Sequence, residues 1–243
     1  MTGAEKLGRA DRPLAAWRGK LAVGEGWAHW QGAAGDNSLH RHLAAQAVFS
    51  AQPISFHRSD GVVVRGRVVL IDPLVAHRLD PADDVEIFFF EPAALHGDAA
   101  EVLTRVPNDD PDAIWLESHE PRFQFWSRAR LAQDTRAGPS PALRRALAQV
   151  DAELSNGPVR LAVAAAAAGL SPDRFRHVFV EAVGVPFRRY VLWKRLQRAV
   201  ALRGEGCDAT TAAHGAGFAD SAHLARTIRA MFGISASQLG RAG

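Results

Sequence analysis

Hydrophobic and polar positions follow two different periods along the chain. Between residues 43 and 91, short runs rich in β-branched and aromatic residues are separated by turn residues such as Asp60-Gly61, which predicts strands at about ten-residue intervals. The predicted strands are 47–49, 54–56, 61–64, 68–71 and 85–90. Regular spacing of this kind predicts a small β-barrel or sandwich.

After residue 91 the apolar spacing becomes helical. Ala94, Leu95, Ala99 and Leu103 recur with the period of a helix, and the segments 114–116 and 123–131 are also predicted to be helical. We expect these helices to cover the sheet or to pair two subunits.

Past Pro141 helix signals replace strand signals. Residues 161–168 form an alanine-rich helix against which a neighbour can pack closely. Gly169 stands where a left-handed residue ends a helix, Ser171 can cap the next helix, and Pro172 suits its first turn. A helix, a short turn with Gly and a capped second helix form the helix-turn-helix pattern.

The same pattern recurs 49 residues later. Phe175 then superposes on Leu224 and Phe179 on Ile228, so an internal duplication is the simplest explanation. In each copy this apolar i, i+4 pair is expected to face the core, which leaves polar side chains for solvent or DNA. These polar residues are Asp173, Arg174, Arg176 and His177, then Ser221, His223, Arg226 and Arg229.

A stretch without Gly or Pro, residues 187–203, separates the two copies. As a helix this stretch is about 25 Å long, so it can fix the separation of two recognition helices. Successive major-groove faces on one side of B-DNA lie about 34 Å apart, so the two recognition helices could enter adjacent turns of the groove. Some of its basic residues are expected to reach phosphates, and at least one can instead be a structural ion-pair partner. These residues are Arg188, Arg189, Lys194, Arg195 and Arg198.

The net charge of the chain changes near Pro141, where the hydrophobic periodicity also changes from strand-like to helical. The 243 residues carry a net charge of +3, with 47% apolar and 23% charged residues, which excludes wholesale disorder. Residues 141–243 hold 14 Lys/Arg against 7 Asp/Glu, whereas residues 1–140 hold 15 against 19. A basic surplus in the second part indicates contact with a polyanion; the alternative is a solvated helical surface.

Compartment and cysteine chemistry are constrained by simpler features. No apolar run is long enough for a membrane span, and the first 13 residues do not form a secretory signal, so a cytoplasmic location is expected. The single cysteine, Cys207, cannot form an internal disulfide.

Five short motifs occur together between residues 161 and 239. They are Gly169-Leu170-Ser171-Pro172, Phe179-x4-Gly184-Val185-x-Phe187-x2-Tyr190, Arg195-x3-Ala199, Gly217-Phe218 and Phe232-Gly233-Ile234-Ser235. As a set they resemble the DNA-binding domain of AraC/XylS-type bacterial transcription regulators. Ala236 and Leu239 depart from the family's usual Pro and aromatic residue.

This resemblance implies seven helices that carry two helix-turn-helix units. The base-reading positions then fall on Asp173, Arg176 and His177 in the first unit and on Ser221, Ala222, His223 and Arg226 in the second. A bidentate pair from Arg176 or Arg226 to a guanine is worth roughly 1–3 kcal/mol of discrimination. The resemblance also implies activation through RNA polymerase more often than repression.

Histidines in the first part of the chain point to chemistry beyond DNA binding. His40 and His42, followed by Gln46 and later by His77, look like a degenerate cupin pattern, as in effector domains joined to this DNA-binding module. Alternate strand residues share a face, so His40 and His42 can point inward together and His77 could complete a site suited to Zn, Fe, Ni or Cu. A bound divalent metal, a histidine-lined effector pocket and plain structural histidines all remain open.

Other aromatic and histidine residues are interpreted more simply. The aromatic residues Trp27, Trp30, Phe49, Phe56, Phe88, Phe89 and Phe90 are predicted to lie in the core, and some of them to line the pocket. His29, His57, His96 and His119 lack partner spacing and are predicted to be surface or core residues.

The sequence therefore predicts an α+β chain of two domains. Residues 1–136 are a cupin-like β-barrel with flanking helices, for effector sensing and dimerisation, and residues 141–243 are an all-α domain with two helix-turn-helix units. The predicted DNA-binding residues are Asp173, Arg174, Arg176, His177, Arg188, Lys194, Ser221, Ala222, His223, Arg226 and Arg229. The predicted effector or metal residues are His40, His42, Gln46 and His77.

The predicted function is a sequence-specific transcription regulator, an activator rather than an enzyme, controlled by a small-molecule or metal effector. Its predicted partners are double-stranded DNA, RNA polymerase, the effector and, as one option, a second copy of the chain. The competing hypothesis is a cupin-type metal-dependent dioxygenase or isomerase that uses the histidines and carries a helical appendage.

Overall fold

A computed structural model describes residues 15–24, 26–91, 98–106, 113–132, 139–154 and 157–232. Within these residues the strands lie in the first part of the chain and the longer helices in the second, which confirms the predicted α+β class. No helix in these ranges has both the length and the apolar character needed to cross a bilayer.

One seven-stranded sheet forms the first part of the molecule. Its strands are β1 (Arg18–Gly24), β2 (Trp27–Ala34), β3 (Ala45–Arg58), β4 (Val63–Ile71), β5 (His77–Leu79), β6 (Ala82–Phe90) and β7 (Ala113–Leu116). They are ordered β1-β2-β6-β3-β4-β7, and β5 also pairs with β3. All pairs are antiparallel except β4 with β7.

The two strands predicted at 47–49 and 54–56 are parts of one long strand, β3. The register with β4 shifts between Phe49 and Ile54, around Pro53. Proline has no N–H for the ladder, so the chain bulges there and then resumes its pairing. The turn signal was therefore real, but it marks a bulge and not the end of a strand.

The helix predicted at 114–116 is wrong, because these residues lie in β7 alongside β4. An apolar run of this length has no measurable period, so its state is decided by the edge of the sheet that it meets. The observed helices of this region are α1 (Asp98–Thr104) and α2 (Phe125–Ala132), after a 3₁₀ turn at Pro121–Phe123. Ala94 and Leu95 lie outside the described residues.

The alternation of side chains along β6 separates two hydrophobic layers. Val85 and Ile87 face a layer with Val48 and Phe56, whereas Phe90 faces the layer that α1 and α2 cover. A period of two residues places successive side chains on opposite faces of a sheet. Both faces of the central strands are consequently buried.

The second part consists of helices α3 (Pro141–Glu153), α4 (Leu161–Ala168), α5 (Pro172–Val183), α6 (Phe187–Gly204), α7 (Ala209–Gly215) and α8 (Ser221–Phe232). Gly169 adopts φ 72° at the end of α4, and the Ser171 side chain accepts a hydrogen bond from the Arg174 N–H at 3.4 Å. An Asp220 carboxylate oxygen accepts from the His223 N–H at 2.6 Å in the second unit. The seventh helix implied by the resemblance, with Gly233, Ile234, Ser235, Ala236 and Leu239, would lie outside the described residues.

The helical part and the sheet share one apolar core. Phe175, Phe179 and Tyr190 are each at most 1% exposed and belong to the same cluster as Leu43 and Ala44, which directly precede β3. Close packing of this kind fixes the relative position of the elements that contribute to it. The proposed boundary between residues 136 and 141 stays a prediction.

Candidate DNA-binding surface and effector site

On α5 the duplication separates buried from exposed residues as predicted. Phe175 and Phe179 are buried, and the predicted DNA-binding residues Asp173, Arg174, Arg176 and His177 are all exposed. Arg176 Nη1 lies 3.1 Å from Asp173 Oδ1. The Asp173 carboxylate therefore lies beside a guanidinium, which offsets its repulsion from a phosphate backbone and can orient Arg176.

On α8 the corresponding surface is less polar. Ala222, Arg226 and Arg229 are exposed, whereas Ser221 and His223 are half-buried. The His223 imidazole packs edge-on against Phe218, with 5.3 Å between ring centroids. Arg226 and Arg229 are thus the charged groups that α8 presents.

Lys194, predicted to bind DNA, is engaged in ion pairs within the fold. Its Nζ lies 2.9 Å from Asp151 Oδ1 and 3.4 Å from Glu91 Oε2, and its side chain is 12% exposed. Burial lowers the pKa of Lys194, but the two carboxylates outweigh burial and the net shift is upward. Burial raises the pKa of Glu91. Lys194 is the structural ion-pair partner that the sequence left open.

Two further basic residues of α6 are engaged in the fold. Arg195 Nη2 donates to the Gly157 carbonyl at 3.0 Å, and Arg198 Nε donates to the Gly215 carbonyl at 2.7 Å. Arg188 and Arg189, at the start of the helix, are exposed. At the end of α6 nearest Phe187, the basic side chains are thus exposed.

Three histidines that are distant in sequence come together beside β5. His40 and His77 exchange backbone hydrogen bonds of 3.0 and 2.9 Å, and the His42 carbonyl accepts from the Leu74 N–H at 2.8 Å. One imidazole nitrogen from each histidine lies within 4.8 Å of those of the other two. His42 and His77 are buried and His40 is half-buried.

The Nδ1 atoms of this histidine cluster all face backbone carbonyls. His40 Nδ1 lies 2.9 Å from the Ser38 carbonyl oxygen, and His42 Nδ1 lies 2.8 Å from that of Ala44. His77 Nδ1 lies 2.9 Å from the Val75 carbonyl oxygen. A neutral imidazole has one N–H, so donation from Nδ1 leaves each Nε2 with a free lone pair. Ligating histidines are oriented in this way in metal sites.

Gln46 completes the cluster. Its Oε1 lies 2.9 Å from His42 Nε2 and 3.1 Å from His77 Nε2. Two arrangements satisfy these atoms: a cation bound by the imidazoles and the amide oxygen, or the amide turned so that its NH2 donates to both lone pairs. The first is a metal site and the second a closed polar network.

Burial keeps these imidazoles neutral. It lowers the pKa of His42 to about 3 and that of His77 well below its ordinary value, and it lowers the pKa of His40 as well. Neutral imidazole is the form that coordinates metals and that hydrogen-bonds as donor and acceptor at once.

A cavity of about 80 Å³ lies between the sheet and the helices α6 and α8. Its walls are mostly apolar, and His40, His77 and Gln46 lie at its edge. The residues that line it are Trp17, Leu21, Ala28, Trp30, Asn37, His40, Gln46, His77, Leu79, Phe89, Trp193, Leu196, Gln197, Val200 and Phe232.

Phe232, the last residue of α8, links the cavity to the second recognition helix. Its ring centroid lies 5.8 Å from those of His42 and Phe89 and 5.9 Å from that of Trp193. A change in the histidine cluster can therefore act directly on the end of α8.

His29, His57 and His119 lie away from the histidine cluster. His29 Nε2 lies 3.0 Å from Glu86 and His57 Nε2 lies 2.8 Å from Asp80. His119 is exposed, and His96 lies outside the described residues.

The cavity residues that the sequence analysis did not single out include Trp17, Trp193, Gln197 and Phe232. Trp193, Gln197 and Phe232 belong to helices whose apolar period points to a core, and no local pattern shows that the helices and the sheet enclose a common cavity. The presence of Trp193 and Gln197 four residues apart on one helix face is the signal available in the sequence.

Comparison with known proteins agrees with this architecture. A family described as a helix-turn-helix domain matches residues 164–242. The fold resembles that of an apo variant of ToxT from Vibrio cholerae, with 10% identity, a TM-score of 0.57, and coverage of 90% of this chain and 98% of that one. A search of curated proteins gave no match.

Two further structures are similar over different lengths. ToxT bound to (E)-4-(8-methylnaphthalen-1-yl)but-3-enoic acid has 10% identity and a TM-score of 0.55. The similarity covers 90% of this chain and 100% of the ToxT chain. A transcriptional regulator with an AraC-type DNA-binding domain from Chromobacterium violaceum is 25% identical, with a TM-score of 0.39. The similarity covers 42% of this chain and 90% of that chain.

Residues 164–242 thus form a helix-turn-helix domain of the AraC type, joined to a sheet-rich domain in the same two-domain architecture as ToxT. A domain of this kind supports a DNA-binding transcription regulator.

Proposed function

We propose that this chain is a sequence-specific transcription activator that works with RNA polymerase in the cytoplasm and is controlled by an effector bound between its two domains. The observation that carries the proposal is the histidine-edged cavity, because it touches both the sheet and the helices that position the DNA-reading surface. A ligand that binds one domain arrangement better shifts the population toward it. Pairing of two copies through the sheet domain is part of the same proposal.

DNA recognition is tested by selecting bound sequences from a random duplex pool with the full chain. We expect a defined site with two recognised segments, one for each recognition helix. Failure to enrich any sequence over competitor DNA at physiological salt would refute the proposal. Repeating the selection with added cell extract or metal ions tests effector control.

Arg226→Ala should relax specificity at one base position of the selected site. Arg226 is exposed on α8, and a bidentate arginine–guanine pair contributes about 1–3 kcal/mol of discrimination. Competition binding with single-base variants of the site measures the loss. Lys20→Ala, on the exposed edge strand β1, is the control and should leave specificity unchanged; a uniform loss of affinity for all sequences would assign Arg226 to a phosphate.

The effector is proposed to be a small molecule or a divalent metal ion. ToxT structures contain an unsaturated fatty acid or a naphthalenyl butenoic acid, which supports small-molecule control in a chain of this architecture. The three Nδ1 atoms held by carbonyls support a metal, since the Nε2 lone pairs and Gln46 Oε1 form a nitrogen-rich donor set. When bound, a metal would supply charge that orients an oxygen-bearing ligand.

Metal binding has a direct test. Untagged protein equilibrated with Zn²⁺ should retain one ion per chain, and its free energy of unfolding should rise by about 2.7 kcal/mol at a free concentration 100 times the dissociation constant. His42→Ala should lose both effects. His57→Ala is the matched control, because His57 pairs with Asp80 away from the cluster. Equal retention in His42→Ala would exclude the site.

The enzyme hypothesis predicts turnover in addition to binding. Zn²⁺ or Fe²⁺ retained at the histidine cluster together with oxygen consumption or isomerisation, both lost in His42→Ala, would favour it. Metal retention coupled to a change in DNA affinity, without turnover, would favour regulation.

A further inference from the structure

Three side chains that line the cavity between the sheet and α6 carry a buried N–H group without an acceptor. Trp30 Nε1 belongs to β2, and Trp193 Nε1 and Gln197 Nε2 belong to α6. All three side chains line the cavity, and within the described residues none of these nitrogens has a hydrogen-bond partner. Buried donors are nearly always paired in native proteins, so three in one cavity call for an acceptor from outside the chain.

Other polar groups of the cavity do not provide that acceptor. The Asn37 amide is already engaged with Leu79, since its Nδ2 donates to the Leu79 carbonyl at 2.9 Å and its Oδ1 accepts from the Leu79 N–H at 3.2 Å. The Gln46 oxygen faces His42 and His77. None of these groups accepts a hydrogen bond from Trp30, Trp193 or Gln197.

The cavity also lacks a countercharge. Among the described residues that line it there is no Lys, Arg, Asp or Glu. Burying an ion without a partner is strongly unfavourable, so the lining disfavours an anionic ligand as much as a cationic one. The apolar walls, with Leu196, Val200 and Phe232, favour a mostly hydrophobic molecule.

We propose that the cavity binds an uncharged, largely apolar molecule whose carbonyl-type oxygens accept hydrogen bonds from Trp30, Trp193 and Gln197. This ligand class deepens the proposed function and rests on it for its regulatory meaning. Trp30 is in the sheet, whereas Trp193 and Gln197 are on the helix between the two helix-turn-helix units. A ligand held by all three therefore joins the two domains in one arrangement.

The experiment compares three probes of matched size on the full chain after dialysis against a chelator. Acetophenone carries a neutral acceptor, benzoate a charged acceptor and ethylbenzene no acceptor. Binding is followed by ¹⁵N NMR of the indole N–H signals, of which the chain has six because it contains six tryptophans. Trp30→Phe and Trp193→Phe assign the two relevant signals.

We expect acetophenone to shift the Trp30 and Trp193 signals in a saturable manner and to bind more tightly than benzoate. Each Trp→Phe variant, or Gln197→Leu, should weaken acetophenone about 2- to 10-fold, the value of one net hydrogen bond, and leave ethylbenzene unchanged. Trp115→Phe on β7, outside the cavity lining, is the control and should change neither affinity. Gln197→Leu keeps the test valid if a tryptophan variant does not fold.

Benzoate that binds the metal-free protein as tightly as acetophenone would overturn the proposal. So would unmoved Trp30 and Trp193 signals, or an acetophenone titration that does not saturate. The samples contain no DNA, so a failed DNA selection would refute the proposed function without altering this result, and the reverse also holds.

Discussion

Lys194→Ala is expected to lower the free energy of unfolding by about 3–5 kcal/mol, because it leaves buried carboxylate charge without its partner. Glu91 is 6% exposed and loses the ammonium 3.4 Å from its Oε2, while Asp151 loses the ammonium 2.9 Å from its Oδ1. Glu91 follows β6 and Lys194 lies on α6, so the loss also weakens the contact between sheet and helices. Urea unfolding at pH 7 measures the change.

Arg188→Ala provides the matched comparison for Lys194→Ala. Arg188 is exposed on the same helix, so its removal should change stability by no more than about 0.5 kcal/mol. It should instead lower the slope of DNA affinity against salt concentration by the amount expected for about one phosphate contact.

The double variant Glu91→Gln/Lys194→Met should recover much of the stability lost in Lys194→Ala, since paired buried charges can be replaced at little cost. A Lys194→Ala variant that is as stable as Arg188→Ala, and whose DNA affinity depends less on salt than that of the wild type, would show that Lys194 contacts a phosphate.

Asp72 should make the protein less stable as the pH rises from 3.8 to about 6. Burial raises the pKa of its carboxyl from 3.8 to about 6, in spite of backbone N–H donors that lower it. Its oxygens accept from Ser118 N at 3.0 Å and Trp126 N at 3.1 Å, and these bonds hold the end of β4 against the start of α2.

The sign of this effect follows from where the proton is bound. Between the two pKa values the folded chain keeps the Asp72 proton and the unfolded chain has lost it, so stability falls with rising pH by about 3 kcal/mol. Asp72→Asn cannot titrate and should lack this part of the pH dependence. The difference between wild-type and variant unfolding free energies isolates Asp72 from other carboxyls such as Glu91. A constant difference across the window would contradict the prediction.

The helical domain was largely predictable because its signals are local. Gly169, Ser171 and Pro172 mark a helix end, a cap and a helix start through their own backbone preferences. The duplication then assigned Leu224 and Ile228 to the core, and the structure confirms that both are buried.

The sheet was less predictable because strand pairing is not local. Residues 114–116 form a strand only because the edge of β4 lies beside them, and β1, β2 and β5 gave no clear period. Pro53 is a residue typical of turns, but the pairing of β3 with β4 continues past it with a bulge.

For the candidate site, the sequence singled out His40, His42, Gln46 and His77, and the structure brings these residues together. The sequence analysis did not single out the cavity residues Trp193 and Gln197, because their spacing on α6 does not show which surface packs against them.

By itself, then, the sequence determined the class of the chain: a duplicated helix-turn-helix reader with a basic surface, joined to a β-rich domain with a histidine pattern. Caps, periods and charge are properties of short segments, so they can be recognised without knowing what packs against them. Only the tertiary structure decided that Lys194 serves the fold, that Phe232 touches the histidine cluster and that Trp30 and Trp193 line one cavity. These facts depend on how the sheet docks on α6 and α8, a contact between segments that are more than a hundred residues apart in the chain.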